Sequence, residues 1–345
     1  MLNQIIKIVK LLGFKNALRM KKHHEQGLAY VRGFSAASCW WTLLNEGILD
    51  KLDHRQSLDW TRFLESFSGD REVLEAIVEY LDGVGLLEHQ DDTLRLSEQG
   101  EVLMAEPRGL LELLWAYEPC LAHLGELLRG EKKYGRDLTR RITFVGRGSG
   151  RLCEQLPYPV MRRMVQDLKA KMVLDLGCGD MAFLAGLCRS DRNIRCLGID
   201  NDADMIAYDQ KLLRENDHAG RLFAQQGDMF NLPELSVNLL PIDCITACDT
   251  FHEYLQYPNR LIELLQQLKR RFAGVRFVIG EFCLQDPAWL KRHKTATLEH
   301  HLFHRLSGQQ IGSAQTWRDL FQKAALEIIE EQVYNIIGHG YFALK

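Results

Sequence analysis

The feature that most constrains the fold is a short apolar run that breaks on glycines and then resumes with helical spacing. Residues 173–176 have the length and hydrophobicity of a buried strand, and Gly177 and Gly179 follow at once. Residues 182–187 are again apolar at helical spacing. A strand that turns on glycines into a helix is typical of nucleotide-type α/β folds, because glycine lets the backbone approach a ligand. The spacing is not the dinucleotide fingerprint, since Ala182 stands where its last glycine belongs.

Two acidic residues follow the next two predicted strands. The run 194–199 ends at Asp200, about 20 residues after the glycine turn, where a carboxylate can accept from both hydroxyls of a ribose. The third strand, 222–230, ends with Asp228 and Met229, which are suited to an adenine amino group and to the face of the ring. Helix and turn capping by the two acids are the simpler alternatives.

These elements together resemble the first motifs of class I S-adenosylmethionine (SAM)-dependent methyltransferases. The resemblance rests on Asp175-x-Gly177-x-Gly179 and on the acids that follow at the expected spacing. It implies SAM as cofactor and S-adenosylhomocysteine (SAH) as product. The cofactor-binding residues that it implies are Asp175, Gly177, Gly179, Asp200, Asp228, Met229 and Asp249.

A histidine follows the fourth predicted strand, 241–248. The tetrapeptide 251–254, Phe-His-Glu-Tyr, resembles that of the small-molecule O-methyltransferases of plant secondary metabolism and bacterial natural-product pathways. The resemblance implies that His252 is the general base for an acceptor hydroxyl, and that Glu281, after the fifth strand, orients it. Both residues leave parallel strands at the same edge of the sheet, so we expect them to meet there.

Two departures from that family leave the acceptor atom open. Cys248 stands where the family often has a lysine, and the segment 313–315 offers no second acid. Carbon or nitrogen methylation on the same scaffold is therefore the alternative to O-methylation. A protein of another class, a non-catalytic SAM-binding or winged-helix regulatory protein, is the further alternative.

A histidine cluster lies between the fifth and sixth predicted strands. His300 and His304 would share one helix face and form a possible metal pair, but no further ligand motif accompanies them. We therefore expect no metal. His300, His301 and His304 are instead candidates for the acceptor pocket or for replacing the missing acid.

The amino-terminal region has the pattern of a winged helix. Helices are predicted over 36–49, 58–67 and 71–80, and strands over 83–88 and 93–97. The pattern resembles the dimerisation domain of the same O-methyltransferase branch, which implies a homodimer. A DNA-binding regulator is disfavoured, because the would-be recognition helix is acidic and phosphate binding needs the opposite charge.

The fold class that follows is α/β, with a Rossmann-like seven-stranded methyltransferase sheet, helices on both faces and a mostly α winged-helix domain before it. With 345 residues we expect three regions. These are a dimerisation domain over 1–105, a helical linker with a possible active-site flap over 106–160, and a SAM-binding domain over 161–345. The resemblance to the methyltransferases implies that two further strands, 326–334 and 340–345, close the sheet and that the final one is antiparallel.

Composition favours a cytoplasmic protein and gives no sign of a nucleic-acid partner, whereas the small-molecule acceptor is what the family resemblance implies. The net charge is −3, and the nine cysteines contain no C-x-x-C pair, which is typical of reduced core residues. No uncharged run is long enough for stable membrane insertion. The basic amphipathic segment 1–15 is expected to dock on its own domain or a partner subunit, and contact with a membrane surface is the alternative. The identity of the acceptor does not follow from the sequence.

Overall fold

The chain forms two compact units, Met1–Leu111 and Glu112–Lys345. The computed structural model describes residues 2–52, 56–105, 107–207, 210, 220–232 and 241–345. None of the helices in this described part is both long and apolar enough to cross a membrane.

The first unit combines helices with a small antiparallel sheet of order β1-β3-β2. Its strands are β1 (Ser57–Asp59), β2 (Leu87–Gln90) and β3 (Thr93–Leu96). Its helices span Leu2–Leu12, Phe14–Asn45, Trp60–Ser66, Arg71–Gly83 and Glu98–Met104, with a 3-10 turn at Leu49–Lys51. The helix Arg108–Ala116 runs across the division between the units. The helices and hairpin are those expected of a winged helix.

The prediction of a helix over 58–67 is wrong at its start. The Asp59 carboxylate accepts from the Arg62 backbone N–H at 2.9 Å, so the helix begins at Trp60. The three residues before it pair with Thr93–Arg95 as strand β1 instead. The predicted helix 36–49 is the end of a longer helix that begins at Phe14.

One glycine in this unit is required by close packing. A Cβ on Gly100 would lie 2.1 Å from the Leu86 carbonyl oxygen and 3.3 Å from the Trp40 ring. The helix Glu98–Met104 can therefore approach the hairpin only with glycine at this position.

The second unit contains the predicted seven-stranded sheet, in the order β6-β5-β4-β7-β8-β10-β9. Its strands are β4 (Met172–Leu176), β5 (Arg195–Asp200), β6 (Leu222–Gln226), β7 (Cys244–Cys248), β8 (Arg276–Phe282), β9 (Ile328–Tyr334) and β10 (His339–Leu344). The strands from β4 to β8 are parallel, and β10 is antiparallel to both β8 and β9, as predicted. The order reverses beside β4, which places a crevice at its carboxyl end.

The described helices that lie wholly in the second unit span Glu118–Ala122, Leu124–Leu128, Ile142–Gln155, Pro157–Asp167, Ala182–Ser190, Pro258–Arg271, Pro287–His293, Thr297–Leu306 and Ala314–Lys323, with a 3-10 turn at Phe251–Tyr254. Helices pack on both faces of the sheet: Pro157–Asp167 and Ala182–Ser190 in one apolar layer, and Pro258–Arg271 and Ala314–Lys323 in the other. Side chains of β4 alternate between two apolar layers: Leu174 packs in the layer that contains Trp317, and Val173 in the layer that contains Met161. Both faces are thus buried, as the predicted architecture requires.

The polar segment Arg147–Gly150 belongs to the region 106–160, in which a possible active-site flap is predicted. It lies within the helix Ile142–Gln155, and Gly148 and Gly150 are buried. Apolar residues at helical spacing, which include Met205, Ile206 and Leu212, predict a helix over 202–213; residues 203–207 are helical, whereas Leu212 lies outside the described residues.

Candidate active site

The glycine turn after β4 is held by backbone contacts to the neighbouring strand. The Gly177 N–H donates to the Ile199 carbonyl at 2.8 Å, and the Gly179 N–H donates to the Asp200 carboxylate at 3.2 Å. Gly177 has φ +71°, and a Cβ there would meet the Thr250 side chain at 2.7 Å. Both conformation and space therefore require glycine at this position.

Two predicted acids lie on either side of this turn in different surroundings. Asp175 is buried within the sheet, accepts from the Thr246 hydroxyl at 2.5 Å, and has its pKa raised to about 7 by burial. Asp200 lies at the end of β5, where burial also raises its pKa, and it accepts from the Asp202 N–H at 3.0 Å. Asp200 borders the cavity described below, whereas Asp175 is not part of its wall.

A cavity of about 540 Å³ opens at this edge of the sheet. Of the sequence-predicted residues, it is lined by Gly177, Gly179, Asp200, Asp228, Met229 and Asp249. Asp175, His252, Glu281, His300, His301 and His304 are not part of its wall. The volume is within the usual range for small-molecule sites.

His252 and Glu281 meet as expected, at the ends of β7 and β8. The His252 Nδ1 lies 2.9 Å from Glu281 Oε2, and both side chains are buried. The other oxygen, Oε1, accepts from the Thr250 N–H at 2.9 Å and from the Phe251 N–H at 2.5 Å. Burial alone would lower the pKa of His252, but the Glu281 carboxylate outweighs it and the pKa is raised.

The remaining His252 nitrogen faces another imidazole. His304 Nε2 lies 3.0 Å from His252 Nε2, and His304 Nδ1 donates to the His300 carbonyl oxygen at 2.5 Å. Burial holds the pKa of His304 well below its ordinary value. Of the three clustered histidines, the structure thus brings His304 against His252. His300 and His301 lie on the same helix, outside this contact.

Glu281, His252, His304 and the His300 carbonyl are joined by three successive hydrogen bonds, and these bonds determine how many protons the four groups hold. Three hydrogen bonds need three protons, whereas one carboxylate and two neutral imidazoles carry two. The third proton makes His252 an imidazolium between the Glu281 carboxylate and a neutral His304. Glu281 is the carboxylate here because two backbone N–H groups donate to its Oε1, which stabilises the charged form. The assignment agrees with the raised pKa of His252 and the lowered pKa of His304.

The same contact also fits a metal ion. Two nitrogen ligands at about 2.0–2.1 Å from a metal, at a right angle, lie roughly 3.0 Å apart. His252 and His304 each donate their other ring N–H to a carboxylate or carbonyl, as metal-bound imidazoles do. Either a proton or a metal ion therefore satisfies His252 Nε2.

Asp249 has a partner that the sequence did not reveal. The His339 Nε2 donates to both Asp249 oxygens, at 3.0 and 3.1 Å, and His339 Nδ1 donates to the Ile337 carbonyl. Burial alone would raise the pKa of Asp249, but His339 lowers it. The charge on this side of the cavity is thereby compensated from β10.

A buried arginine also escaped the sequence analysis. Arg140 lines the cavity, and its Nη1 donates to Tyr117 Oη at 3.0 Å and to Gln309 Oε1 at 2.9 Å, while its Nη2 pairs with Glu253. Glu253 was visible within the 251–254 motif, but nothing around Arg140 in the sequence marks it.

Known proteins resemble this chain in sequence and in fold. Residues 167–332 match the family model of a methyltransferase domain. A 2-ketoarginine methyltransferase from Streptomyces arginensis is 28% identical over 319 residues, which cover 89% of this chain and 90% of that protein.

Among solved structures, a mitomycin 7-O-methyltransferase has a TM-score of 0.66 at 14% identity, over 95% of this chain and 99% of that one. Human N-acetylserotonin methyltransferase in complex with SAM has a TM-score of 0.65 at 15% identity, over 94% and 97%. The structural likeness extends along both units of the chain and shows the fold.

Proposed function

We propose that this chain, which belongs to the class I SAM-dependent methyltransferases, methylates a small 2-oxo acid at the carbon beside the ketone. The observation that carries the substrate class is the 2-ketoarginine methyltransferase, which aligns along about nine-tenths of both chains. The acceptor chemistry is supported by a buried histidine–carboxylate pair at the same sheet edge as the glycine turn.

For the cofactor, we propose that the glycine-turn side of the cavity holds SAM. Asp200 is placed to accept from ribose hydroxyls, and Asp228 and Met229 line the wall beyond it, where an adenine would lie. Asp175 acts from beneath, since its bond to Thr246 ties β4 to β7 below the turn. The cofactor supplies an activated methyl group on a sulfonium.

We propose that His252 is the base. A proton beside a ketone is acidic because the resulting carbanion is delocalised onto oxygen. The His252 Nε2 takes this proton, the electron pair left on carbon forms the new bond to the methyl group, and the sulfonium keeps the electrons of the broken C–S bond. Glu281 stabilises the imidazolium that forms and fixes the ring, as carboxylates do for catalytic histidines.

This role requires a movement of His304. When His252 is neutral, its Nε2 lone pair faces that of His304 at 3.0 Å, and the two repel. The His304 ring must then turn away from His252 Nε2, and the C–H group of the acceptor takes its place beside that nitrogen. Deprotonation of His252 and access for the acceptor are therefore coupled.

O-methylation of a hydroxyl is the second candidate. The 251–254 motif favours it, because the same base would serve an O–H acceptor. The test is a panel that contains 2-ketoarginine and hydroxyl-bearing compounds, with isotope-labelled SAM and NMR of the products. A methyl group bonded to carbon beside the ketone supports the first proposal. A methyl ether formed only on the hydroxyl compounds replaces it with the second.

We further propose a homodimer in a reducing, cytoplasmic compartment. Apolar residues are exposed on the first two helices; they include Leu2, Ile5, Ile6, Ile8, Leu11 and Phe14. Exposed apolar residues in such number favour contact with a second chain. All nine cysteines are free. Light scattering should give about twice the chain mass of 39.8 kDa, and a monomer at micromolar concentration would rule the dimer out.

A further inference from the structure

We infer that Arg140 is the residue that selects acceptors bearing a carboxylate, an inference that rests on the small-molecule function proposed above. A permanent positive charge is costly to bury unless it is paired. Arg140 is only 8% exposed and nevertheless forms part of the cavity wall. Its place in the site therefore calls for an explanation beyond packing.

The contacts of Arg140 hold the guanidinium in place but do not use all of its N–H donors. Tyr117 and Gln309 accept from Nη1, and Glu253 accepts from Nη2. The Tyr117 ring also lies 5.8 Å from the guanidinium carbon. The Nε atom is buried and has no partner among the residues that the structure describes. Among the described residues, three of the five N–H donors of Arg140 thus have a partner, and two have none.

The unused donors suit a carboxylate. The planar guanidinium binds a carboxylate through two parallel N–H bonds, and such charge-assisted bonds are strong where water is excluded. Ser307 donates to Gln309 Oε1, which holds Gln309 in place against Nη1. The guanidinium is therefore fixed in orientation before any acceptor arrives, which lowers the entropic cost of binding.

The position relative to the base gives the inference its chemical sense. The Arg140 partner Glu253 is the residue next to His252, and both Arg140 and Glu253 line the cavity that also contains the glycine turn. In a 2-oxo acid, the carboxylate is separated from the reacting carbon by the ketone alone. An anchor close to the base therefore fits this class better than a long acceptor with a remote charge.

The neighbouring Arg141 provides a matched control. It donates to the Trp115 carbonyl at 2.8 Å, pairs with Glu118 and stacks on the Trp115 ring at 4.0 Å. Arg141 is not part of the cavity wall. Arg141 is an arginine like Arg140 and is the next residue in the chain, but removal of its charge should leave acceptor binding unchanged.

The test is calorimetry on SAH-loaded protein with 2-ketoarginine and with its primary amide, which lacks the carboxylate charge. We expect wild-type protein to bind the acid more tightly than the amide. Arg140→Gln should weaken binding of the acid by roughly 10- to 100-fold and of the amide by less than about threefold. Arg141→Gln should alter neither.

Arg140→Gln leaves Glu253 without its partner, so the double variant Arg140→Gln/Glu253→Gln is measured as well, with SAH affinity as a check on folding. Equal losses for acid and amide in both variants, or a wild-type protein without preference for the acid, would overturn the inference. If the acid binds through Arg140 but no methyl group is transferred to it, the substrate assignment fails and the carboxylate receptor stands.

Discussion

The two sides of the candidate site are built in opposite ways. The glycine-turn side (Gly177, Gly179, Asp200, Asp228 and Met229) is fixed by backbone and presents its polar groups to the cavity. The histidine cluster on the other side (His252, Glu281 and His304) is buried, and its members bond to one another or to backbone. The first side is ready to receive a ligand, whereas the second has to change before it can act.

This difference separates binding from rate. Substitutions on the glycine-turn side should weaken cofactor binding with little effect on the pH dependence of the reaction. Substitutions in the histidine cluster should alter rate and pH dependence while cofactor affinity is kept. An experiment that mixes these two patterns would show that the division is false.

The largest expected effect is on the rate. His252→Gln should lower kcat by roughly 10²–10⁴, because the proton acceptor is lost. SAM affinity measured by calorimetry should be unchanged, since His252 is not part of the cavity wall. His123→Gln, at a partly exposed histidine that pairs with Glu126, is the control. Native turnover by His252→Gln would make this histidine structural.

The next effect is on cofactor affinity. The double variant Asp200→Ala/Asp228→Ala should weaken SAM binding by roughly 10- to 100-fold, the loss of one or two hydrogen bonds to a charged acceptor. Asp204→Ala, at an exposed acid nearby, should bind SAM as the native protein does. Undiminished affinity in the double variant would remove the cofactor from this side of the cavity.

The two sides also differ in how far the sequence predicts them. The glycine turn, Asp200 and Asp228 were predictable because all depend on local order: a strand, a required positive φ and an acid at the next strand end. These features need only short-range pattern and the rule that parallel strands end at one edge. The seven-stranded sheet, by contrast, was expected from the family resemblance, and the structure supplies its strand order.

The histidine cluster was predictable only in part. His252 and Glu281 follow from their strand ends, but the His252–His304 contact joins residues 52 positions apart through a helix whose placement no periodicity fixes. Arg140 and Gln309 are 169 positions apart and meet in the same way. Contacts made by side chains from separate helices depend on tertiary packing, which a single sequence does not specify.

A smaller effect is expected on pH dependence. The Glu281 carboxylate raises the pKa of His252, and an imidazole can accept a proton only in its neutral form. Native activity should therefore fall as the pH falls through this raised pKa. Glu281→Gln removes the negative charge, so the acid limb of the profile should move to lower pH, while kcat on the plateau falls by roughly tenfold through lost orientation. An unshifted limb would mean that another group sets it.

The smallest expected effect is that of metal removal. If His252 Nε2 holds a proton shared with His304, prolonged dialysis against EDTA should leave kcat within about twofold of its native value. If a metal ion lies there, dialysis should abolish activity, and one divalent cation should restore it. In that case His252 cannot also be the base, because its Nε2 lone pair is occupied. Elemental analysis of the protein before and after dialysis, with His304→Ala as a variant that removes one ligand, separates the two. If the native protein loses a metal on dialysis and His304→Ala contains none, the histidine cluster is a Lewis-acid site for the ketone of the acceptor and not a proton acceptor.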